Sequence, residues 1–152
     1  TPEEKLMAVA NVNGVVDFIS LDNFEPTFLR IDFTEKTQPG VKSVCWGKRN
    51  RLVCSMEDGT VALFDLRNLM KPVTEISLEA PANYIMRLST EELMVLTDRV
   101  DLYDSELRWI ESLEVGCTGQ SLFSAAEDTL RHSLVVGGFD QKLHVLKLKT
   151  KI

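Results

Sequence analysis

Apolar residues along the chain occur in short clusters rich in Val, Ile, Leu and Phe, and each cluster is bounded by Gly, Asn, Asp or a charged pair. This pattern is typical of β-strands rather than of amphipathic helices, whose apolar positions recur with a helical period over longer stretches. The clearest run comprises residues 41–46, 52–56 and 60–65, with Asp58-Gly59 between the last two segments. Asp-Gly between apolar segments is a strong hairpin signal, because a primed turn requires positive φ. The chain is therefore predicted to be all-β, with antiparallel strands.

The same unit recurs along the chain. When Val16, Val61, Val100 and Leu143 are taken as equivalent positions, the spacings between them are 45, 39 and 43 residues. A period of about 40–45 residues is typical of the four-stranded blades of β-propellers. The period predicts about 3.5 blades in this chain, which would form one partial propeller over residues 1–152.

The predicted blades differ in completeness. Residues 41–78 and 83–115 form complete blades with strands a to d, whereas residues 1–34 supply only strands b, c and d, and residues 120–148 only strands a, b and c. The predicted strands are 6–10, 15–21, 27–33, 41–46, 52–56, 60–65, 73–78, 83–88, 93–96, 100–103, 108–115, 120–125, 134–136 and 142–148.

Some residues of the repeat carry a family resemblance. Asp58 and Gly59 form the turn, Phe64-Asp65 stands where a Trp-Asp dipeptide is expected, and Tyr103-Asp104 is a second, weaker dipeptide. With these residues the chain resembles the WD-repeat β-propeller family, and it looks like the C-terminal half of such a propeller. The Gly-His of that family is absent between the blades, so the resemblance implies that the usual His–Asp hydrogen-bond network cannot form in the same way.

Composition narrows the classes of function. The chain has 152 residues, a formal net charge of -6 and 44% apolar residues, which is enough apolar surface for a folded core. No apolar run is long enough to span a membrane, and an acidic chain is not expected to bind nucleic acid in general. The sequence shows no signal peptide, and we expect an intracellular protein, either cytoplasmic or nuclear.

The chain shows no pattern typical of catalysis or metal binding. Cys45, Cys54 and Cys117 form no CxxC pair, and His132 and His144 lack a paired nucleophile or carboxylate in the sequence. We therefore predict no enzyme activity, no cofactor and no metal site. Cys45 and Cys54 could form a disulfide across a hairpin, but two buried free thiols are the preferred interpretation.

Charged residues separate onto the two rims of the predicted propeller. The b–c turns and d–a loops share one end of the blades, here called the acidic rim, and the a–b and c–d loops share the other end, here called the basic rim. The acidic rim contains Glu35, Glu57, Asp58, Glu79, Asp98 and Asp140 with few bases, Lys36 and Arg99. The basic rim contains Lys48, Arg49, Arg51, Arg67 and Lys71, together with the acids Asp22, Glu25, Glu91 and Glu92. The acidic rim would favour basic peptides, and the alternative is that these loop charges only keep the protein in solution. The candidate partner-binding residues are Arg67, Lys48, Arg49, Arg51, Glu57, Asp58, Asp98 and Asp140.

Three hypotheses about function follow. The first is a non-enzymatic scaffold of a multiprotein complex, which binds protein partners on the propeller rims. The second is a substrate receptor of a cullin-type ubiquitin ligase, because Phe64-Asp65-Leu66-Arg67 is similar to the Trp-Asp-x-Arg motif of such receptors. The third is a nucleic-acid-associated propeller that uses Lys48, Arg49 and Arg51. In each case the missing blades are expected from another chain, a second copy or a segment absent from this sequence.

Overall fold

The computed structural model describes residues 5–37, 39–116 and 120–149. Within these ranges the chain forms fourteen β-strands in four antiparallel sheets. The first sheet contains β1 (Leu6–Ala10), β2 (Val15–Ser20) and β3 (Pro26–Asp32); the second contains β4 (Val41–Trp46), β5 (Arg51–Met56), β6 (Thr60–Asp65) and β7 (Thr74–Ser77); the third contains β8 (Tyr84–Arg87), β9 (Leu93–Leu96), β10 (Val100–Tyr103) and β11 (Trp109–Leu113); and the fourth contains β12 (Leu122–Asp128), β13 (Ser133–Gly138) and β14 (Leu143–Lys147).

Strands that follow one another in the chain are neighbours in every sheet, so each sheet is a simple meander. The predicted all-β fold class is confirmed. The largest difference from the predicted strands is in the fourth sheet, where β12 continues to Asp128 instead of ending at residue 125. Ladder pairing extends that far, because Glu127 lies opposite Leu134 and Asp128 opposite Ser133.

Consecutive sheets pack face to face through three separate hydrophobic cores. Because side chains alternate along a strand, β5 contributes Leu52 and Cys54 to the first core and Val53 to the second. The first core lies between the first and second sheets, the second between the second and third, and the third between the third and fourth. Fully buried residues of the first core include Val16, Phe18, Leu52 and Met56. Those of the second include Val53, Val61, Leu63 and Val95. Those of the third include Met94, Leu96, Leu122, Leu134 and Val136.

The register of β4 and β5 excludes a disulfide between Cys45 and Cys54. Cys45 lies opposite Val53, and Cys54 lies opposite Val44. Side chains directly opposite each other share a face of the sheet, so the two thiols point to opposite faces and both are free. The disulfide alternative is therefore wrong for this pair, and Cys117 lies outside the described residues.

Two glycines hold b–c turns against neighbouring loops. Gly14 and Gly59 adopt φ of 87° and 88°, as the Asp58-Gly59 turn signal predicted. A Cβ at Gly59 would lie 2.7 Å from the carbonyl oxygen of Leu78, and one at Gly14 would lie 2.5 Å from the Cβ of Pro39. Glycine is therefore required at both positions by backbone conformation and by close approach.

Candidate interaction rims

Backbone hydrogen bonds join the b–c turns to the loops between sheets at the acidic rim. The amide of Glu57 donates to the carbonyl of Gly40 at 2.9 Å, and the amide of Leu78 donates to the carbonyl of Gly59 at 2.9 Å. Between the third and fourth sheets, the amide of Leu122 donates to the carbonyl of Thr97 at 2.8 Å. The turns and loops at this end therefore form one connected surface.

Lys36 neutralises the turn carboxylate of Asp58. Its ammonium nitrogen lies 3.6 Å from Asp58 Oδ2 and 3.7 Å from Glu75 Oε1, and Asp58 also accepts the amide of Thr60 at 2.8 Å. Although desolvation raises the pKa of Asp58, the hydrogen bonds from Thr60 and the charge of Lys36 hold the pKa below its ordinary value. Lys36 lies in the loop before the second sheet, where the family resemblance placed the missing His. Sequence reasoning placed Lys36 on this rim but missed its role.

In the fourth sheet, a histidine rather than a lysine pairs with the carboxylate of the b–c turn. His144 Nε2 lies 2.5 Å from Asp140 Oδ2, and both side chains are largely buried. The hydrogen bond with His144 lowers the pKa of Asp140. The sequence predicts no paired carboxylate for His144, and this prediction is wrong, because His144 pairs with Asp140 of its own b–c turn. His132 is exposed in the loop before β13, as expected.

The third sheet has a buried carboxylate that sequence reasoning missed. The Asp101 side chain is only 2% exposed; it accepts a hydrogen bond from Arg99 Nε at 2.8 Å and another from the hydroxyl of Ser112. A base two residues before an acid across a turn is a local signal that could have identified this pair.

Several carboxylates of the acidic rim remain exposed. Glu35, Glu57, Asp58, Glu79 and Asp98 are all exposed. Glu79 and Asp98 also line a small cavity of about 80 Å³ between the second and third sheets, together with Arg99 and the buried Asp101. This end of the molecule therefore presents negative charge to solvent.

The candidate cations of the basic rim are mostly paired within the chain. Lys48 Nζ lies 2.5 Å from Glu91 Oε2, and Arg51 Nη1 lies 2.5 Å from Glu106 Oε1. Both ion pairs connect the second sheet to the third. Arg49 is exposed on the same loop with φ of 54°, and it helps to line a cavity of about 250 Å³ with Lys48, Arg51 and Glu106.

Arg67 forms a two-pronged ion pair within its own motif. Its Nε donates to Asp65 Oδ1 at 2.9 Å and its Nη2 to Asp65 Oδ2 at 2.6 Å, while 84% of its side chain is exposed. These hydrogen bonds hold the pKa of Asp65 well below its ordinary value. At the equivalent position of the next repeat, Asp104 accepts backbone amides of Glu106 and Arg108 instead. The structure thus brings Asp65 and Arg67 together, and keeps both dipeptide aspartates in local structural roles.

Residues 5–37, 39–116 and 120–149 contain no group of three or more His, Cys, Asp or Glu side chains arranged to hold a metal ion. In the same ranges there is no helix with the length and apolar character needed to cross a membrane.

Comparison with solved structures defines the fold. The chain is similar to the β-propeller domain of Cps50 (Swd1) from Myceliophteria thermophila, with a TM-score of 0.72 and 15% identity over 94% of this chain and 48% of that one. It is also similar to the WD40 β-propeller domain of Doa1, with a TM-score of 0.78 and 12% identity over 99% of this chain and 49% of that one. The molecule therefore has the fold of a partial WD40 β-propeller, as the resemblance implied.

The chain spans about half the length of the solved propellers that it matches. No family of known sequences matches it, and no curated protein does so. The likeness is one of fold, carried by the strand order and packing.

Proposed function

We propose that the chain is part of a non-enzymatic scaffold that binds basic segments of protein partners on its acidic rim. This proposal rests on one difference between the rims: carboxylates of the acidic rim are exposed, whereas cations of the basic rim are mostly held in ion pairs within the chain. Glu57, Glu79 and Asp98 are exposed, whereas Lys48, Arg51 and Arg67 of the opposite rim are each held in an ion pair. Exposed charge steers and orients a complementary partner without displacing an existing partner.

The internal ion pairs of the acidic rim support the same function. Lys36, Arg99 and His144 hold Asp58, Asp101 and Asp140 in place, and these pairs fix the turns that display the exposed carboxylates. A rigid display of charge lowers the ordering cost of binding. The proposed ligand is a peptide segment rich in Lys or Arg.

The two alternative functions have weaker support. A ligase adaptor that contacts Arg67 would have to share its guanidinium with Asp65, or replace that carboxylate. Nucleic acid bound by Lys48 and Arg51 would have to displace Glu91 and Glu106. Replacement of Asp65, Glu91 or Glu106 costs an existing charge-assisted hydrogen bond, so the acidic rim is the favoured surface.

A peptide-binding measurement tests the proposal. A fluorescent oligolysine is titrated into the protein at low salt, with an oligoglutamate of equal length as the negative probe. The pair Glu57→Gln and Asp98→Asn should weaken oligolysine binding about five- to tenfold, since each exposed charge contributes up to about 1 kcal/mol.

The matched control is the pair Asp22→Asn and Glu25→Gln, which removes two exposed carboxylates from the loop between β2 and β3 at the opposite end. Both double variants change the net charge equally, so a local site predicts a large effect for the first and little for the second. Equal weakening by both variants would show non-specific attraction to an acidic protein and would contradict the proposal.

A further inference from the structure

The cavity of about 250 Å³ at the basic rim is lined almost entirely by charged side chains. Lys48 and Arg49 come from the a–b loop of the second sheet and Arg51 begins β5, while Ser105 and Glu106 come from the c–d loop of the third sheet. Three cations and one carboxylate therefore surround this space, in a chain whose formal net charge is -6. The local excess of positive charge is opposite in sign to the charge of the whole chain, and it favours an anion.

Both loops that line the cavity are fixed by hydrogen bonds. In the a–b loop, the amide of Gly47 donates to the carbonyl of Arg51 at 2.8 Å, and Nη1 of Arg87 in the third sheet donates to the carbonyl of Gly47 at 2.6 Å. In the c–d loop, the amide of Glu106 donates to the carboxylate of Asp104 at 2.8 Å. The charges are thus displayed by backbone that is already ordered, which lowers the entropy cost of binding a ligand.

Arg49 differs from the other two cations of the cavity because its side chain has no partner. Within residues 5–37, 39–116 and 120–149 its guanidinium forms no hydrogen bond and no ion pair, and the residue is exposed. Lys48 and Arg51 each donate to one carboxylate, that of Glu91 or Glu106. Because an ammonium has three N–H donors and a guanidinium has five, both keep further donors. A small anion can therefore bind without displacing either carboxylate.

The charges around the cavity already stabilise one negative group beside it. The hydrogen bond from Lys48 holds the pKa of Glu91 below its ordinary value, although desolvation raises it. The charges of Arg87 and Arg49 lower this pKa further. The same positive potential extends to an anion inside the cavity, because Lys48 and Arg49 line it.

The size and charge of the cavity select among anions. Its volume is below the roughly 300–1,000 Å³ of pockets for drug-sized ligands, so it suits a small group and not a whole cofactor. A phosphate monoester carries about -1.5 to -2 charge at pH 7 and three acceptor oxygens, whereas a carboxylate carries a single charge. In nucleic acid each phosphate has one charge and a sugar on both sides, so a strand cannot enter without displacing the lining, and an acidic chain repels such a polyanion.

We propose that this cavity binds a phosphoserine side chain of a protein partner. The unpaired guanidinium of Arg49 and the remaining donors of Arg51 form charge-assisted hydrogen bonds to the phosphate oxygens. Lys48 adds a third positive charge, and the hydroxyl of Ser105 is a neutral donor on the opposite wall. This site lies at the other end of the blades from the acidic rim, so the chain can hold a phosphorylated segment and a basic segment at the same time.

A titration with acetyl-phosphoserine amide, followed by NMR of the isotopically labelled protein, measures binding to the cavity directly. The amide signals of Arg49 and Ser105 should shift with one common, saturable dependence on ligand concentration. Acetyl-aspartate amide and a thymidine dinucleotide are the comparison ligands. Each brings one negative charge in place of about two, so each should bind at least about fivefold more weakly.

Removal of the unpaired cation should weaken this binding. Arg49→Gln should raise the Kd for acetyl-phosphoserine amide about tenfold, because charge-assisted hydrogen bonds to phosphate are lost. The fold should be kept, since Arg49 is exposed. Lys71→Gln is the matched control: it removes one exposed cation from the c–d loop of the second sheet, on the same rim but outside the cavity lining. The control should change the Kd by less than about twofold, since screening by salt weakens distant charges.

A second variant should change the affinity in the opposite direction. Glu106→Gln removes the one carboxylate of the cavity lining and keeps an oxygen that can accept from Arg51. Binding of acetyl-phosphoserine amide should therefore strengthen about threefold or more, because a like charge no longer faces the phosphate. Glu25→Gln, in the exposed c–d loop of the first sheet, is the matched control and should have little effect. A purely structural role of the ion pair between Arg51 and Glu106 predicts weaker or unchanged binding instead.

The absence of a saturable shift with acetyl-phosphoserine amide would exclude the site, and so would weaker or unchanged binding in Glu106→Gln. Equal losses in Arg49→Gln and Lys71→Gln would show general attraction of anions to the rim. Equal or tighter binding of the aspartate amide or the dinucleotide would assign the cavity to another class of ligand. Oligolysine binding to the acidic rim should be unchanged in Arg49→Gln, so this inference and the proposed function can fail separately.

Discussion

At the scale of single residues, one carboxylate in each of the last three sheets pairs with a nearby base: Asp58, Asp101 and Asp140. Lys36 comes from the preceding loop, Arg99 is two residues before Asp101, and His144 is four residues after Asp140. Three different solutions in three sheets show that the fold needs a partner for a partly or fully buried carboxylate, and not one particular residue type.

Asp65 should make stability depend on pH in the acid range. Its pKa is lowered in the folded state by the hydrogen bonds from Arg67, so the unfolded chain binds the proton more readily. The stabilisation is complete above the unfolded pKa of about 3.9 and is lost as the pH falls toward the lower folded value. We expect urea midpoints to fall between about pH 5 and pH 2, and the fall should be smaller in Asp65→Asn.

Removing the donor tests the cause of that pH dependence. Arg67→Met should flatten the acid limb less than Asp65→Asn, because Asp65 still accepts the backbone amide of Arg67 at 2.9 Å, and adding Arg67→Met to Asp65→Asn should flatten it little further. A full acid limb in Arg67→Met would show that the guanidinium of Arg67 does not cause the pH dependence.

At the scale of the element, the turn between β5 and β6 depends on Gly59. Alanine at this position would combine a φ of 88° with a Cβ 2.7 Å from a backbone oxygen of Leu78. Left-handed backbone alone costs an L-residue about 1–2 kcal/mol, and backbone atoms cannot yield easily. Gly59→Ala should therefore lower the free energy of unfolding by at least that amount in a urea titration.

Gly116→Ala is the comparison for that measurement. Apart from its chain neighbours, no described residue has an atom within 4 Å of a Cβ at Gly116, and the φ of Gly116 is not in the left-handed region. The change should stay within about 0.5 kcal/mol. Equal effects at the two glycines would show that the turn geometry does not account for the cost.

The sequence predicted the positions of the β-strands more accurately than any other feature of the structure. The alternation of apolar residues and the Asp58-Gly59 turn predicted the hairpin of β5 and β6 within one residue, because both signals are local. The predicted bounds of β12 were less accurate, because hydrogen bonding to β13 decides where that strand ends. The polar residues Glu127 and Asp128 carry no local sequence signal for a strand.

The rims were less predictable than the strands. Charge counts along the loops separated acidic from basic residues, but they did not reveal that Glu91 and Glu106 pair with Lys48 and Arg51. These partners are 43 and 55 residues apart, and only the packing of the second sheet on the third brings them together. Tertiary distance of this kind cannot be inferred from one sequence.

At the scale of the whole molecule, interior and end surfaces should respond differently to truncation. Leu63 is fully buried between the second and third sheets, so Leu63→Ala should cost about 2–5 kcal/mol at any protein concentration. Leu143 is 77% exposed on the outer face of the fourth sheet, so Leu143→Ala should change the free energy of unfolding by no more than about 0.5 kcal/mol. Urea titrations of the two variants compare these effects, and an equal loss of stability for Leu143→Ala would contradict the assignment of this face as exposed.

The thiols of the partly buried Cys45 and the buried Cys54 point to opposite faces of the second sheet, so they report separately on the opening of two sheet interfaces. Cys54 lies between the first and second sheets, and Cys45 packs between the second and third. Burial raises the pKa of both thiols, to about 12 for Cys45, so neither reacts appreciably as a thiolate while the sheets stay together. The alkylation rate of Cys54 therefore measures how often the first and second sheets separate, and that of Cys45 measures the same for the second and third sheets. No label has to be introduced.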